Sequence, residues 1–158
     1  MKFEGCPDVR VATPADANAI FDLMTLAHEE NAEHDLSEAK VKFRIDLAVN
    51  RRGCLMGVIG DCGGPLKGYV YLILDEIWYS NAAQILELSN FVHPDHRRST
   101  YAKQLIDFAK KCSDGLGIDL TIGVFSNSRT EAKIRLYQRQ VKPVGAFFCH
   151  KPDRSAAN

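Results

Sequence analysis

Val92-His93-Pro94-Asp95-His96-Arg97-Arg98-Ser99-Thr100-Tyr101-Ala102-Lys103-Gln104-Leu105-Ile106 joins an apolar strand to an amphipathic helix through a polar loop. The strand runs from Ile85 to Val92, and Pro94, which has no N–H for a sheet ladder, stops it. Ala102, Leu105, Ile106 and Ala109 then recur at three-and-four spacing, which predicts a helix with one buried face. The first turn of such a helix carries unpaired N–H groups and the positive end of its dipole. With Arg97 and Arg98 just ahead of it, the junction reads as a place for phosphate oxygens. An Arg-Arg pair taken alone is more often simply solvated.

Upstream, Asp8 to Ala12 alternates polar and apolar, and Thr13-Pro14-Ala15-Asp16 supplies an N-cap, a first-turn proline and a first-turn acid. A helix follows with Ile20, Leu23, Met24 and Ala27 on one stripe, and a second opens at Ser37-Glu38 with Val41, Ile45, Ala48 and Val49 inward. The polar run His28 to Asp35 between them lacks the histidine spacing of a zinc helix and reads as a solvated helix end and loop. Cys54–Ile59 and Gly68–Leu74, separated by turn formers, predict a hairpin that continues into the strand at 85–92. Downstream, Gly115 and Gly117 end the loop helix, and Ile118–Val124 is a strand that runs parallel to 85–92 because a helix connects them. Ser128-Arg129-Thr130-Glu131 has the form of a capping box, opening a helix through Tyr137, and a last strand is expected over Val144–Cys149. The expected architecture is α/β, with a mostly antiparallel sheet of six to seven strands and flanking helices. One domain fills residues 1–150, and 151–158 form a polar tail.

At 158 residues and 46% hydrophobic the chain supports one core. Lys plus Arg balances Asp plus Glu at 20 each, so no overall basic field exists for nucleic acid or an anionic membrane. Five cysteines, odd in number and without C-x-x-C spacing, argue against a disulfide framework and a zinc site and fit a reducing cytoplasm. No apolar run is long enough for a membrane span.

The order V-x-P-x-x-R-x-x-T-x-A from Val92 to Ala102 resembles the V-x-P-x-x-[R/Q]-x-x-G-x-[G/A] signature of the GCN5-related N-acetyltransferases. The element order agrees, and Leu136-Tyr137-Gln138-Arg139 resembles the family's segment before its closing strand. The likeness spans about Val9 to Phe148 and is nearest to phage-type members, which implies a phage or prophage setting. One departure stands at Thr100, where the family places a glycine that lets backbone approach phosphate.

The resemblance implies acetyl-CoA as co-substrate. Asn90, Phe91 and Val92 of a bulged strand would hold the pantetheine arm and thioester, Arg97, Arg98, Ser99, Thr100, Tyr101 and Ala102 the pyrophosphate, and Asn127 the arm. Transfer would go directly to the amine of a small molecule, a protein or a peptide. A homodimer is left open, and neither nucleic acid nor membrane is expected as partner.

Glu87 is implied as base and Tyr137 as the acid that protonates the departing thiolate. The residues alone keep other readings open. Alternation in Leu86-Glu87-Leu88-Ser89 puts Glu87 on a solvated polar face, and a tyrosine at helical spacing is commonly a half-buried core residue. Asp75, Glu76, Trp78 and Tyr79, with Glu29, Glu30 and Glu33, are read either as a cation-favouring acceptor lining or as a solvated edge. The rival function is a degenerate protein of this fold that binds CoA or another protein without turnover.

Overall fold

The computed structural model describes residues 5–124, 126 and 129–152. β1 (Val9–Val11) leads through a 3-10 turn at Pro14–Asp16 into α1 (Ala17–Asn31) and α2 (Glu38–Val49). β2 (Cys54–Ile59), β3 (Gly68–Glu76) and β4 (Ala83–Val92) follow. A 3-10 turn at Pro94–His96 then leads into α3 (Tyr101–Leu116), and β5 (Asp119–Thr121) and α4 (Thr130–Gln138) complete the elements. The sheet order is β1-β2-β3-β4-β5, antiparallel up to β4 and parallel between β4 and β5. The mixed α/β class, the antiparallel hairpins and the parallel pairing therefore agree with the sequence.

The strand count does not. Among the described residues the sheet has five strands rather than six or seven, because β5 stops at Thr121 and residues 144–149 form no strand. The physical reason lies at β5. The Gly123 N–H turns to the Glu87 carboxylate, so the ladder ends, and the outer edge of β5 is too short to hold a further strand of six residues. Val144, Phe147 and Phe148 are accordingly exposed. The capping serine expected at 128 lies outside the described residues, and α4 begins at Thr130, whose hydroxyl donates to the Ser126 carbonyl. Helix α1 outruns its apolar stripe and takes in the first residues of the polar run, up to Asn31.

Two apolar layers cover the sheet. On one face Ile20 and Leu23 of α1 and Ile45, Ala48 and Val49 of α2 pack on Met56, Val58, Tyr69, Tyr71 and Phe91. On the other, Leu105, Phe108 and Ala109 of α3 pack on Ile59, Val70, Leu72, Ile85 and Val92. Helix α3 comes close enough that the Phe108 ring occupies the space of a missing side chain. A Cβ on Gly57 of β2 would lie 2.6 Å from Phe108 Cδ1 and 3.1 Å from Val9 Cγ1.

The start of α1 is held by a buried ion pair. Asp16, fully buried, accepts from Arg10 Nη1 at 2.8 Å and Nη2 at 2.7 Å, from the Thr13 N–H at 2.8 Å and from the Gly63 N–H at 3.0 Å. The Arg10 guanidinium first, and the two backbone donors after it, hold its carboxyl well below the usual carboxylate range.

Two outcomes follow from this packing. Gly57→Ala forces Phe108 to move and should cost about 1–3 kcal/mol in urea unfolding. Asp16→Ala strands Arg10 and should cost about 3 kcal/mol, the low end for breaking a buried pair, since Arg10 stays partly exposed. Because the folded pKa is depressed, this stability is present above the unfolded carboxyl value. It is lost as pH falls below it, so the variant's deficit at pH 7 should shrink on acidification.

Candidate active site

The site is a gap in the sheet. Strand β4 pairs with β5 only through Gln84, Ile85 and Leu86, and beyond these its outer edge has no strand beside it among the described residues. Within the same stretch the register to β3 slips. Tyr71 faces Ser89 and Leu72 faces Glu87, leaving Leu88 as an extra residue, a β-bulge. The bulge resets alternation: Ile85 packs on the α3 side of the sheet, while Phe91, also odd-numbered, packs on the α1–α2 side. Glu87 is the last regularly paired residue before the bulge, and the reading that leaves it on a solvated face fails there.

Glu87 instead lines a cavity of about 320 Å³ between β4, α1 and α4. Its Oε2 accepts from the Gly123 N–H at 3.3 Å and from the Tyr137 hydroxyl at 3.5 Å. Burial pushes the Glu87 carboxyl up to about 7 against the opposing pull of these two donors and of the Lys133 charge. Tyr137 is pushed well up, first by burial and then by the Glu87 charge beside it, while the Asn90 side chain acts the other way. At neutral pH the tyrosine thus keeps its proton and the glutamate is poised to gain or lose one.

A second cavity, of about 280 Å³, opens between β4, the loop and α4. Asn90, Phe91, Lys133 and Tyr137 line both cavities, so the two meet at the Glu87–Tyr137 pair. Val92, Arg97, Ser99 and Ala102 line the second one as well. Arg97 is turned inward: its guanidinium pairs with Glu30 at the end of α1, its Nε donates to the Val92 carbonyl at 3.3 Å, and it lies over the Phe91 ring. Arg98 is exposed. The Ser99 hydroxyl accepts from the Tyr101 N–H at 3.2 Å. The first intrahelical bond runs from the Gln104 N–H to the Thr100 carbonyl, so the N–H groups of Ala102 and Lys103 precede the ladder. Asn127 lies outside the described residues.

Thr100 has a structural use where a glycine would have none. Its φ of −84° is ordinary backbone, and its hydroxyl accepts from Gln104 Nε2 at 2.9 Å. Gln104, buried, also donates to Asp8 Oδ2 at 2.8 Å and accepts from the Asp8 N–H at 3.0 Å. Threonine thereby ties the loop to the start of β1.

Lys133 was missed by the sequence reading. It stands one turn before Tyr137 on α4, lines both cavities, and its pKa is lowered chiefly by burial. The four-residue spacing from Tyr137 could have revealed it. Conversely, Asp75, Glu76, Trp78, Tyr79, Glu29 and Glu33 line neither cavity, and Glu30 is held by Arg97. His28 Nε2 donates to the His34 carbonyl at 2.7 Å. Among the described residues no cluster of three His, Cys, Asp or Glu is placed to hold a metal, and no helix is long and apolar enough to cross a membrane.

Several solved structures share this fold. A ribosomal-protein-alanine N-acetyltransferase from Brucella melitensis biovar Abortus 2308 aligns over 93% of this chain and 97% of its own, at 18% identity and a TM-score of 0.66. The fold is that of the GCN5-related N-acetyltransferases. An integron cassette protein from a salt-marsh metagenome aligns over 96% of this chain and 95% of its own, at 18% identity and a TM-score of 0.73. AAC(6')-Iy in complex with the bisubstrate analogue CoA-S-monomethyl-acetylneamine aligns over 92% of this chain and 97% of its own, at 13% identity and a TM-score of 0.69. No family model matches the sequence, and no curated protein does.

The raised Glu87 pKa is also a statement about stability. A carboxyl that titrates near 7 in the folded chain and near 4.5 in the unfolded one contributes fully below 4.5. That contribution is lost as pH rises through 7. Wild type should therefore lose stability between pH 5 and pH 8 relative to Glu87→Gln. A wild-type–variant difference in denaturation midpoint that is the same at both pH values would show that Glu87 is not desolvated.

Proposed function

We propose that this protein is an N-acetyltransferase of the GCN5-related family that transfers the acetyl group of acetyl-CoA directly to an amine. The observation that carries the reading is the Glu87–Tyr137 pair at the meeting point of two cavities, in a fold shared with acetyltransferases. One of those neighbours is known with a CoA-based bisubstrate analogue, which supports a CoA site in this fold. When bound, acetyl-CoA supplies the activated acyl carbon and a thiolate leaving group.

The chain's own residues fit that ligand. The N–H groups at the start of α3 and the exposed Arg98 provide donors for phosphate oxygens without any need for glycine at 100, while the Ser99 hydroxyl donates to the His96 carbonyl. Arg97, engaged with Glu30, shapes the wall of the second cavity. An amine with an ordinary pKa near ~10 arrives protonated and must lose a proton before it attacks. Glu87, ionised in about half of the molecules near pH 7, accepts that proton. Tyr137 donates its hydroxyl proton to the departing sulfur and is reprotonated by the neutral Glu87 that its oxygen faces. Protons and charge balance over the cycle: the ammonium loses two protons as the amide forms and the C–S bond breaks, one reaching the departing thiolate through Glu87 and Tyr137 and the other leaving to solvent.

Calorimetry with acetyl-CoA and thiol release over an amine panel test this together. Tyr137→Phe should lower kcat by about 10²–10⁴-fold with little change in acetyl-CoA affinity. The rate of wild type should rise with pH through about 7 as Glu87 ionises, and Glu87→Gln should be slow and lack that limb. Tight CoA binding without thiol release from any amine would instead support a binding module.

A further inference from the structure

The charge inventory of the cavity beside Glu87 constrains the amine that it takes. One wall is apolar, formed by Met24 and Ala27 of α1, Leu36, Val41 of α2 and the Tyr69 ring. Asn31 at the end of α1, Glu87 of β4 and Lys133 of α4 supply polar groups to the same cavity. Among the described residues the lining holds one carboxylate, Glu87, and one lysine. Lys133 Nζ donates to Ser126 Oγ at 3.1 Å, and Ser126 in turn donates to Asn31 Oδ1 at 2.8 Å, which steadies the ammonium on this side. Among the described residues Lys133 makes no ion pair, although it is partly withdrawn from water.

A polycation does not suit this lining. Each ammonium taken out of water needs an anion or several acceptors in return. Here the single carboxylate is assigned to the reacting amine, and a second ammonium would meet Lys133. The acidic residues of the α1 end and the β3–β4 turn give no help, since they lie outside the cavity or on Arg97. An anion on the ligand, by contrast, would give Lys133 a direct partner, since it feels the Glu30 and Glu87 charges without forming an ion pair with either among the described residues. Lys133 and Tyr137 stand one helical turn apart on the same face of α4, so the group for a carboxylate and the group for an amine lie side by side in one cavity. A volume of about 320 Å³ also lies near the low end of ligand clefts, roughly 300–1,000 Å³.

We propose that the acceptor is a small monoamine bearing a carboxylate, of the apolar α-amino acid class. Its amine faces Glu87 and Tyr137, its carboxylate binds Lys133, and its side chain packs on Met24, Val41 and Tyr69. Lys133 is then the specificity-determining residue. The inference rests on the acetyl-transfer reading for the role of the amine, and its test separates the two.

Phenylalanine, phenethylamine (the same body without the carboxylate) and spermidine serve as probes. Equilibrium binding to the CoA-loaded protein and thiol release from acetyl-CoA are measured for wild type, Lys133→Gln and Lys133→Arg, with melting temperature as a folding control. Wild type should prefer phenylalanine to phenethylamine by about 10-fold or more, the worth of one charge-assisted hydrogen bond. That ratio should collapse in Lys133→Gln and persist in Lys133→Arg. Selective phenylalanine binding without thiol release keeps this proposal and removes the transfer reading. Thiol release that favours spermidine, or a ratio unchanged in Lys133→Gln, overturns this proposal and leaves transfer standing. Binding of no probe, with no release, overturns both.

Discussion

The loss of pairing between β4 and β5 after Leu86 and Thr121 is the constraint on which the site depends. A continuous parallel ladder would bury the outer edge of β4 from Glu87 to Val92. The bulge at Leu88 and the turn of the Gly123 N–H toward Glu87 keep that edge open. Backbone groups withdrawn from a ladder need other partners, and here they face cavities that a ligand can enter. The carboxylate and the tyrosine of the site meet beside this gap.

Rigid packing on both sides of the sheet keeps the gap in place. Helix α3 is seated on Gly57 through Phe108, and its first turn is tied by Thr100 and Gln104 to Asp8 at the start of β1. On the other face the Arg10–Asp16 pair fixes the entry to α1, and Glu30 near its far end reaches Arg97 in the loop. Helix α1 therefore spans from a structural anchor to the wall of the second cavity.

The electrostatics of the centre follow from burial rather than from the number of charges. Glu87 has donors from Gly123 and Tyr137, yet desolvation outweighs them and raises its pKa, while the same burial lowers Lys133. Glu87 is thus poised near neutral pH, the condition in which a proton or a charged ligand group has the largest effect, while Lys133 is shifted downward beside it.

The sequence by itself determined the element order, the antiparallel hairpins, the parallel β4–β5 pair and the strand-loop-helix junction, because these rest on local signals. Apolar periodicity, Pro94 and the glycines after α3 act within a few residues of where they stand. Tyr137 was legible through the segment that surrounds it. Only the tertiary structure decided that Glu87 enters a cavity, since residues of α1 and α4, distant in the chain, line the space beside it. Tertiary contacts alone likewise turned Arg97 onto Glu30, 67 residues away, gave Thr100 its partner in Gln104, and left 144–149 without a ladder once β5 had ended early. Each of these outcomes is a competition for partners between segments distant in the chain, and a linear pattern carries no record of which partner wins.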